Sequence, residues 1–168
     1  MGAASFNQYQ GGTHLGEAFK NARMMAEAED GGRRGNVAAK DEVVPLVKEP
    51  VTLEAAYELA DQYSEKGTQG VDDKWGPAGA IAVRGQERHI HVDLVEKAGG
   101  FATLEEAAKH ALEVKGLLRE GEGVRYGVQG SCERDRRGRV TKGQALVPVA
   151  GGTGPEQTGW LFFGVAAD

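Results

Sequence analysis

Apolar residues recur at two spacings along this chain, one helical and one alternating, and together they mark out its elements. Leu15, Ala18, Phe19, Ala22 and Ala26 share one face of a predicted helix that opens after Gly11-Gly12 with Thr13 as N-cap. It ends near Glu29-Asp30, where acids oppose the helix dipole and Arg33 and Arg34 are placed to neutralise them. A second helix begins after Thr52, turns Leu53, Ala56, Tyr57, Ala60 and Tyr63 or Ser64 inward, and stops at Gly67. A third opens on Thr103 with Glu106 at the capping-box spacing, and its inner face carries Leu104, Ala107, Ala108, Ala111, Leu112 and Leu118. The shared Thr-Leu-acid opening of the last two helices reads as a good way to start a helix rather than as a duplication.

Strand patterns fill the intervals. Residues 5–9 alternate in part, and 37–47 is interrupted at Pro45, which splits any strand there or places it at an edge. Further strands are predicted over 80–83, 89–95, 124–128, 140–149 and 160–165, giving the order β-α-β-α-β-β-α-β-β-β. That order predicts an α+β fold, with three helices packed on one face of a mixed or mostly antiparallel sheet. No linker divides the chain, so residues 1–168 are read as a single domain, with a loose start at Met1 to Ala4.

Two aromatic blocks stand apart. In Asp72-Asp73-Lys74-Trp75-Gly76-Pro77, a charged run ends in a turn and gives way to the small apolar strand Ala78 to Val83. Trp160-Leu161-Phe162-Phe163 places four bulky residues in succession. Such a run does not alternate inward and outward, so it is buried on both sides or covered by a partner. The first block is expected to be a rigid entry into an interior strand that pairs with the second. Trp75 and Trp160 are also the candidate partner-binding aromatics, since tryptophan is enriched where binding energy concentrates.

Composition narrows the function classes. A net charge of -5 over 168 residues argues against broad nucleic-acid affinity, which needs many cationic contacts to phosphate. One cysteine, Cys132, excludes an internal disulfide. The N-terminal residues lack a signal-peptide pattern, and no apolar run approaches the roughly 20 residues that span a bilayer. The chain is therefore expected to be soluble and intracellular.

Candidate chemistry is sparse. His89, His91 and Asp93 fall on one face of a predicted strand, and two imidazoles with a carboxylate are ligands for zinc or iron. The plainer reading is a solvated strand face. Arg134, Arg136 and Arg137 crowd a turn that suits an acidic partner or phosphate, against the plainer reading of a solvated hairpin tip. Gly151-Gly152-Thr153-Gly154-Pro155 lacks the Lys-Ser/Thr ending and following helix of a phosphate loop. Cys132 has no base assigned to activate it. No catalytic constellation and no cofactor motif is present, so a binding protein is favoured over an enzyme.

Three blocks carry a resemblance: Met1 to Phe6 with Ala18-Phe19 and Ala22; Gly35-Asn36-Val37-Ala38-Ala39-Lys40; and Asp73 to Gly79 with the closing Gly159 to Gly164. Through them the chain resembles a family of small proteins encoded by bacteriophages of actinobacteria. The second block is similar to a Gly-Thr-Ile-Ala-Glu-Lys element, with Ala39 in place of the acid. The aromatic-rich Gly-Tyr turn of such relatives is here Gly31-Gly32-Arg33-Arg34-Gly35. No activity is established for that family, so the resemblance implies an origin without a mechanism. It implies host cytoplasm as the setting, with the virion as the rival. The expected function is a non-enzymatic accessory protein acting on a host or phage macromolecule. The alternatives are a structural or assembly component of the particle and a small metal-dependent enzyme. A homo-oligomer is left open.

Overall fold

In a computed structural model of the chain, described over residues 2–30 and 35–167, three helices and eight strands make an α+β fold with one mixed and one antiparallel sheet. Along the chain come β1 (Ala3–Gly11), α1 (Leu15–Asp30), β2 (Val43–Val51), α2 (Leu53–Lys66) and β3 (Ala78–Arg84). There follow β4 (Arg88–Asp93), α3 (Leu104–Val114), β5 (Gly123–Val124), β6 (Gln129–Arg134), β7 (Val140–Ala150) and β8 (Gln157–Ala167). Contacts divide the chain into two compact units: Met1–Gln86 with Pro155–Asp168, and Glu87–Gly154 between them in sequence.

The first unit holds the mixed sheet, in the order β1-β8-β3-β2. β8 runs antiparallel to both β1 and β3, and β2 is parallel to β3, so β1, β2 and β3 all point the same way. The expected pairing of the two aromatic blocks is present: Ala80 faces Phe162, Ile81 faces Leu161 and Ala82 faces Trp160. The bulky run of β8 is buried on both sides. Trp160 and Phe162 pack with Phe19, Ala22, Ala80 and Ala82 beneath α1, whereas Leu161 and Phe163 pack with Ala56, Ala60, Ile81 and Val83 beneath α2.

The helices therefore do not share one face, as the sequence order suggested. Crossovers between parallel strands are right-handed almost without exception. The chain crosses the sheet from β1 to the far edge at β2 by way of α1, then steps back to β3 by way of α2. One handedness applied in two opposite directions puts the helices on opposite faces. α3 belongs to the other unit and to a different sheet.

Local signals explain most boundaries. Thr52 and Thr103 cap α2 and α3, accepting from the amides of Ala55 and Glu106 at 3.3 and 3.2 Å. Gly67 ends α2 in the left-handed conformation at φ 62°. Thr13 does not cap α1. The ring Nδ1 of His14 accepts from the Glu17 amide at 3.2 Å, and the Thr13 carbonyl accepts from Trp160 Nε1. Pro45 lies, as its chemistry requires, on an edge strand. Ala3 and Ala4 are already paired in β1 rather than loose. The proposed role of Arg33 and Arg34 lies outside the described residues.

In the second unit β7 is central, with β4 on one side and β5 and β6 on the other, all antiparallel. α3 covers one face through Ala108, Ala111 and Leu112, which pack on Ile90, Val92, Ala145, Val147 and Val149. Arg88 at the start of β4 makes a bidentate pair with Glu122, at 2.8 and 2.7 Å, and also donates to the Leu117 carbonyl. This pair ties the connection after α3 to the sheet. Of the strand expected over 124–128, only Val124 is in a strand, as the end of β5; residues 125–128 are a connection, and β6 begins at Gln129. β6 carries Gly130, Ser131, Glu133 and Arg134, with no apolar alternation, and is held by its backbone ladder to β7.

Candidate partner-binding site

The residues that hold Trp75 begin far from it in sequence. Asn36 accepts from the Ala38 amide at 2.8 Å, which starts a single 3-10 turn over Val37–Ala39. Val37 is fully buried and anchors that turn in the core beneath α1. The turn delivers Lys40 into the interior, where the side chain is 1% exposed. Its ammonium donates to three carbonyls of one loop: Asp73 at 3.1 Å, Lys74 at 3.2 Å and Gly76 at 2.8 Å.

The same loop is tied by its own bonds. The amide of Asp73 donates to the Gly70 carbonyl at 3.1 Å, and that of Gly76 to the Asp73 carbonyl at 2.9 Å. The Asp73 carboxylate accepts from the Trp75 amide at 2.9 Å. Gly76 admits no side chain, since a Cβ there would lie 2.2 Å from the Gly70 oxygen. Burial pushes the Lys40 ammonium below its ordinary pKa, and the Asp73 carboxylate opposes that shift.

Trp75 stands on this fixed loop and is 70% exposed. The Lys74 ammonium lies 5.4 Å from its ring centroid. Beside it is a shallow cleft of about 300 Å³ lined by Ala39, Asp41, Glu42, Lys74 and Trp75. An indole and two carboxylates around one hollow attract a cationic group, against the opposing charge of the Lys74 ammonium that already lies near the ring. Asp41 also pairs loosely with Arg23 at 3.6 Å, an exposed contact of little energetic weight.

The other sequence candidates lie elsewhere. Trp160 is an interior residue, 6% exposed, and offers no surface to a partner. Its position is set by its neighbours, because both faces of β8 are covered. Arg134, Arg136 and Arg137 are at the tip of the β6–β7 hairpin in the second unit. Arg134 folds back onto the Gly138 carbonyl at 2.9 Å, and Asp135 accepts from the amides of Arg137 and Arg139. His89, His91 and Asp93 share the outer face of β4, beside Pro148, Leu146 and Gln144 of β7. Among the described residues, no three His, Cys, Asp or Glu side chains come together to hold a metal ion. Cys132 is a half-buried free thiol packed beside Phe101, Ala107 and Val140.

Comparison with known families, curated proteins and solved structures gave no match for this chain.

Sequence reasoning did not assign a role to Lys40, Asp41 or Glu42. Lys40 was nonetheless within view. It ends the Gly35-to-Lys40 block, and its ammonium binds the loop of the Asp73-to-Gly79 block, so two segments singled out separately meet through one side chain. Tyr126, 98% exposed in the second unit, also carried no sequence signal.

Proposed function

We propose that this chain is a phage-encoded, non-enzymatic accessory protein that works in host cytoplasm by binding a host or phage protein through Trp75. The partner presents a basic side chain, lysine or arginine, to the cleft between Trp75, Asp41 and Glu42. The observation that carries the reading is a largely exposed indole on a loop held by the buried ammonium of Lys40. Large aromatics are normally withdrawn from water, and one carried on a loop already held in place binds without the cost of ordering that backbone. The acidic rim and the net charge of -5 favour a basic protein surface over nucleic acid. The phage origin and the cytoplasmic setting rest on the sequence resemblance.

The test compares wild type with Trp75→Ala as bait in infected actinobacterial cells, followed by titration of the recovered partner against both. Trp75→Ala is expected to weaken binding at least tenfold while leaving thermal unfolding unchanged. A partner that binds both forms equally overturns the role of Trp75. Recovery of no specific partner, with the protein found instead in purified particles, overturns the accessory reading in favour of a virion component.

A further inference from the structure

The two edges of the mixed sheet are built differently. β2, at one edge, contains Pro45, Pro50, Lys48 and Glu49, and its pairing with β3 is broken by two register shifts. These are the devices that stop an edge strand from recruiting another strand. β1, at the other edge, has none of them. Its sequence from Ala3 to Gly11 contains no charge and no proline. It runs in unbroken register along β8, from Ala3 facing Ala167 to Gly11 facing Gly159.

The phase of that ladder fixes which groups point away from β8. The Gly12 amide donates to the Thr158 carbonyl at 3.0 Å, in register with the Gly11–Gly159 pair. In an antiparallel pair, alternate residues direct both backbone groups to the same side. Residues in phase with Gly12 therefore face β8, and Ala3, Ser5 and Asn7 direct their amides and carbonyls to the open side. All three are exposed. α1 lies over this strand, since Gln8 donates to the Ala22 carbonyl at 2.9 Å, and it exposes Met24 and Met25.

We propose that β1 is the seam of a two-fold dimer, in which it pairs antiparallel with β1 of a second copy about an axis at Ser5. Ser5 then faces Ser5 of the second copy, and Ala3 faces Asn7. A charge-free strand pairs with its own copy without setting like charges opposite each other. The two sheets become one, ending at each side in a β2 strand that already resists further pairing. The pairing therefore closes as a dimer, because it uses up the unprotected edge of each copy. This seam is independent of the Trp75 cleft.

Sedimentation of the full chain over a concentration series tests the proposal. Wild type is expected at twice the chain mass, dissociating on dilution. Ser5→Lys sets two ammonium groups against each other at the axis. Ser5→Pro removes an amide that faces away from β8, so the β1–β8 ladder keeps its bonds. Both are expected to raise the dissociation constant at least tenfold while native Trp160 fluorescence is retained. Lys48→Ala, on the opposite edge, is expected to leave the mass unchanged. A wild type that is monomeric throughout overturns the proposal, as does a dimer that Ser5→Lys leaves intact. Should Ser5→Pro lose the Trp160 signal, Ser5→Lys alone decides.

Discussion

Replacing Lys40 by Met removes the ammonium that holds the Trp75 loop and keeps most of the buried stem. In the native chain that ammonium makes three hydrogen bonds, at 2.8, 3.1 and 3.2 Å, from a side chain that is 1% exposed. A hydrogen bond from a charged donor contributes roughly 1.5–3 kcal/mol net, but three on one atom do not add. Two effects oppose the loss. Met needs no desolvation of a charge, and the Asp73 carbonyl keeps its bond from the Gly76 amide. The expected cost is therefore about 1–3 kcal/mol, near that of a single unreplaced acceptor. Denaturant unfolding followed by fluorescence measures it, because Trp160 is buried in the same unit. Hydrogen exchange at the amides of Asp73, Trp75 and Gly76 reports on the loop directly, and their protection is expected to fall in Lys40→Met. The sign of the pH effect also follows. The lysine pKa is lowered on folding, so the unfolded chain holds the extra proton between the folded value and about 10.4. Wild type should gain stability relative to Lys40→Met as pH rises through that window. An unchanged unfolding midpoint together with unchanged exchange at those amides would refute the loop-anchoring role.

Two further outcomes are expected. A Cβ on Gly79 would lie 2.4 Å from two atoms of the Phe163 ring, so Gly79→Ala should destabilise the first unit by about 1–3 kcal/mol in denaturant unfolding. Phe163→Leu in the same chain should make Gly79→Ala less harmful, and equal costs in both backgrounds would exclude the clash as the cause. In the second unit, hydrogen bonding from Arg88 holds the Glu122 carboxyl below its ordinary pKa against the opposing effect of burial, with the Arg119 amide assisting. A depressed carboxylate stabilises fully above its unfolded pKa of about 4.3, and that contribution is lost as pH falls through the folded value. Exchange protection in β4 and β7 should therefore drop in acid, and Glu122→Gln should flatten the dependence. A profile identical in both chains would rule the pair out.

The elements were legible where one face of an element was apolar and the other was not. The caps at Thr52 and Thr103 and the stop at Gly67 follow from local pattern, whereas the paired strands Ala78-to-Val83 and Trp160-to-Phe163 were marked out as runs apolar on both faces. β6 was not legible, because its residues bury little and its position comes from the β7 ladder. The placement of α1 and α2 on opposite faces depends on strand order, which a hydrophobic pattern does not encode. At the candidate site, Trp75 was visible as an odd residue in a charged turn. Lys40 was not marked out, since burial of an ammonium depends on three carbonyls that lie more than thirty positions away in sequence. Trp160 illustrates the reverse: a candidate anchor on composition, it is a core residue because α1 covers it.

The position of β8 between β1 and β3 has a consequence for biosynthesis. A ribosome makes β1, α1, β2, α2 and β3 first, then the whole of Glu87–Gly154, and only afterwards β8, the strand between β1 and β3. Until β8 emerges, β1 lacks its antiparallel neighbour and the apolar undersides of α1 and α2 have half a sheet to pack on. Closure of the first unit is thus a late, long-range event, and its nascent form is the state most in need of a chaperone.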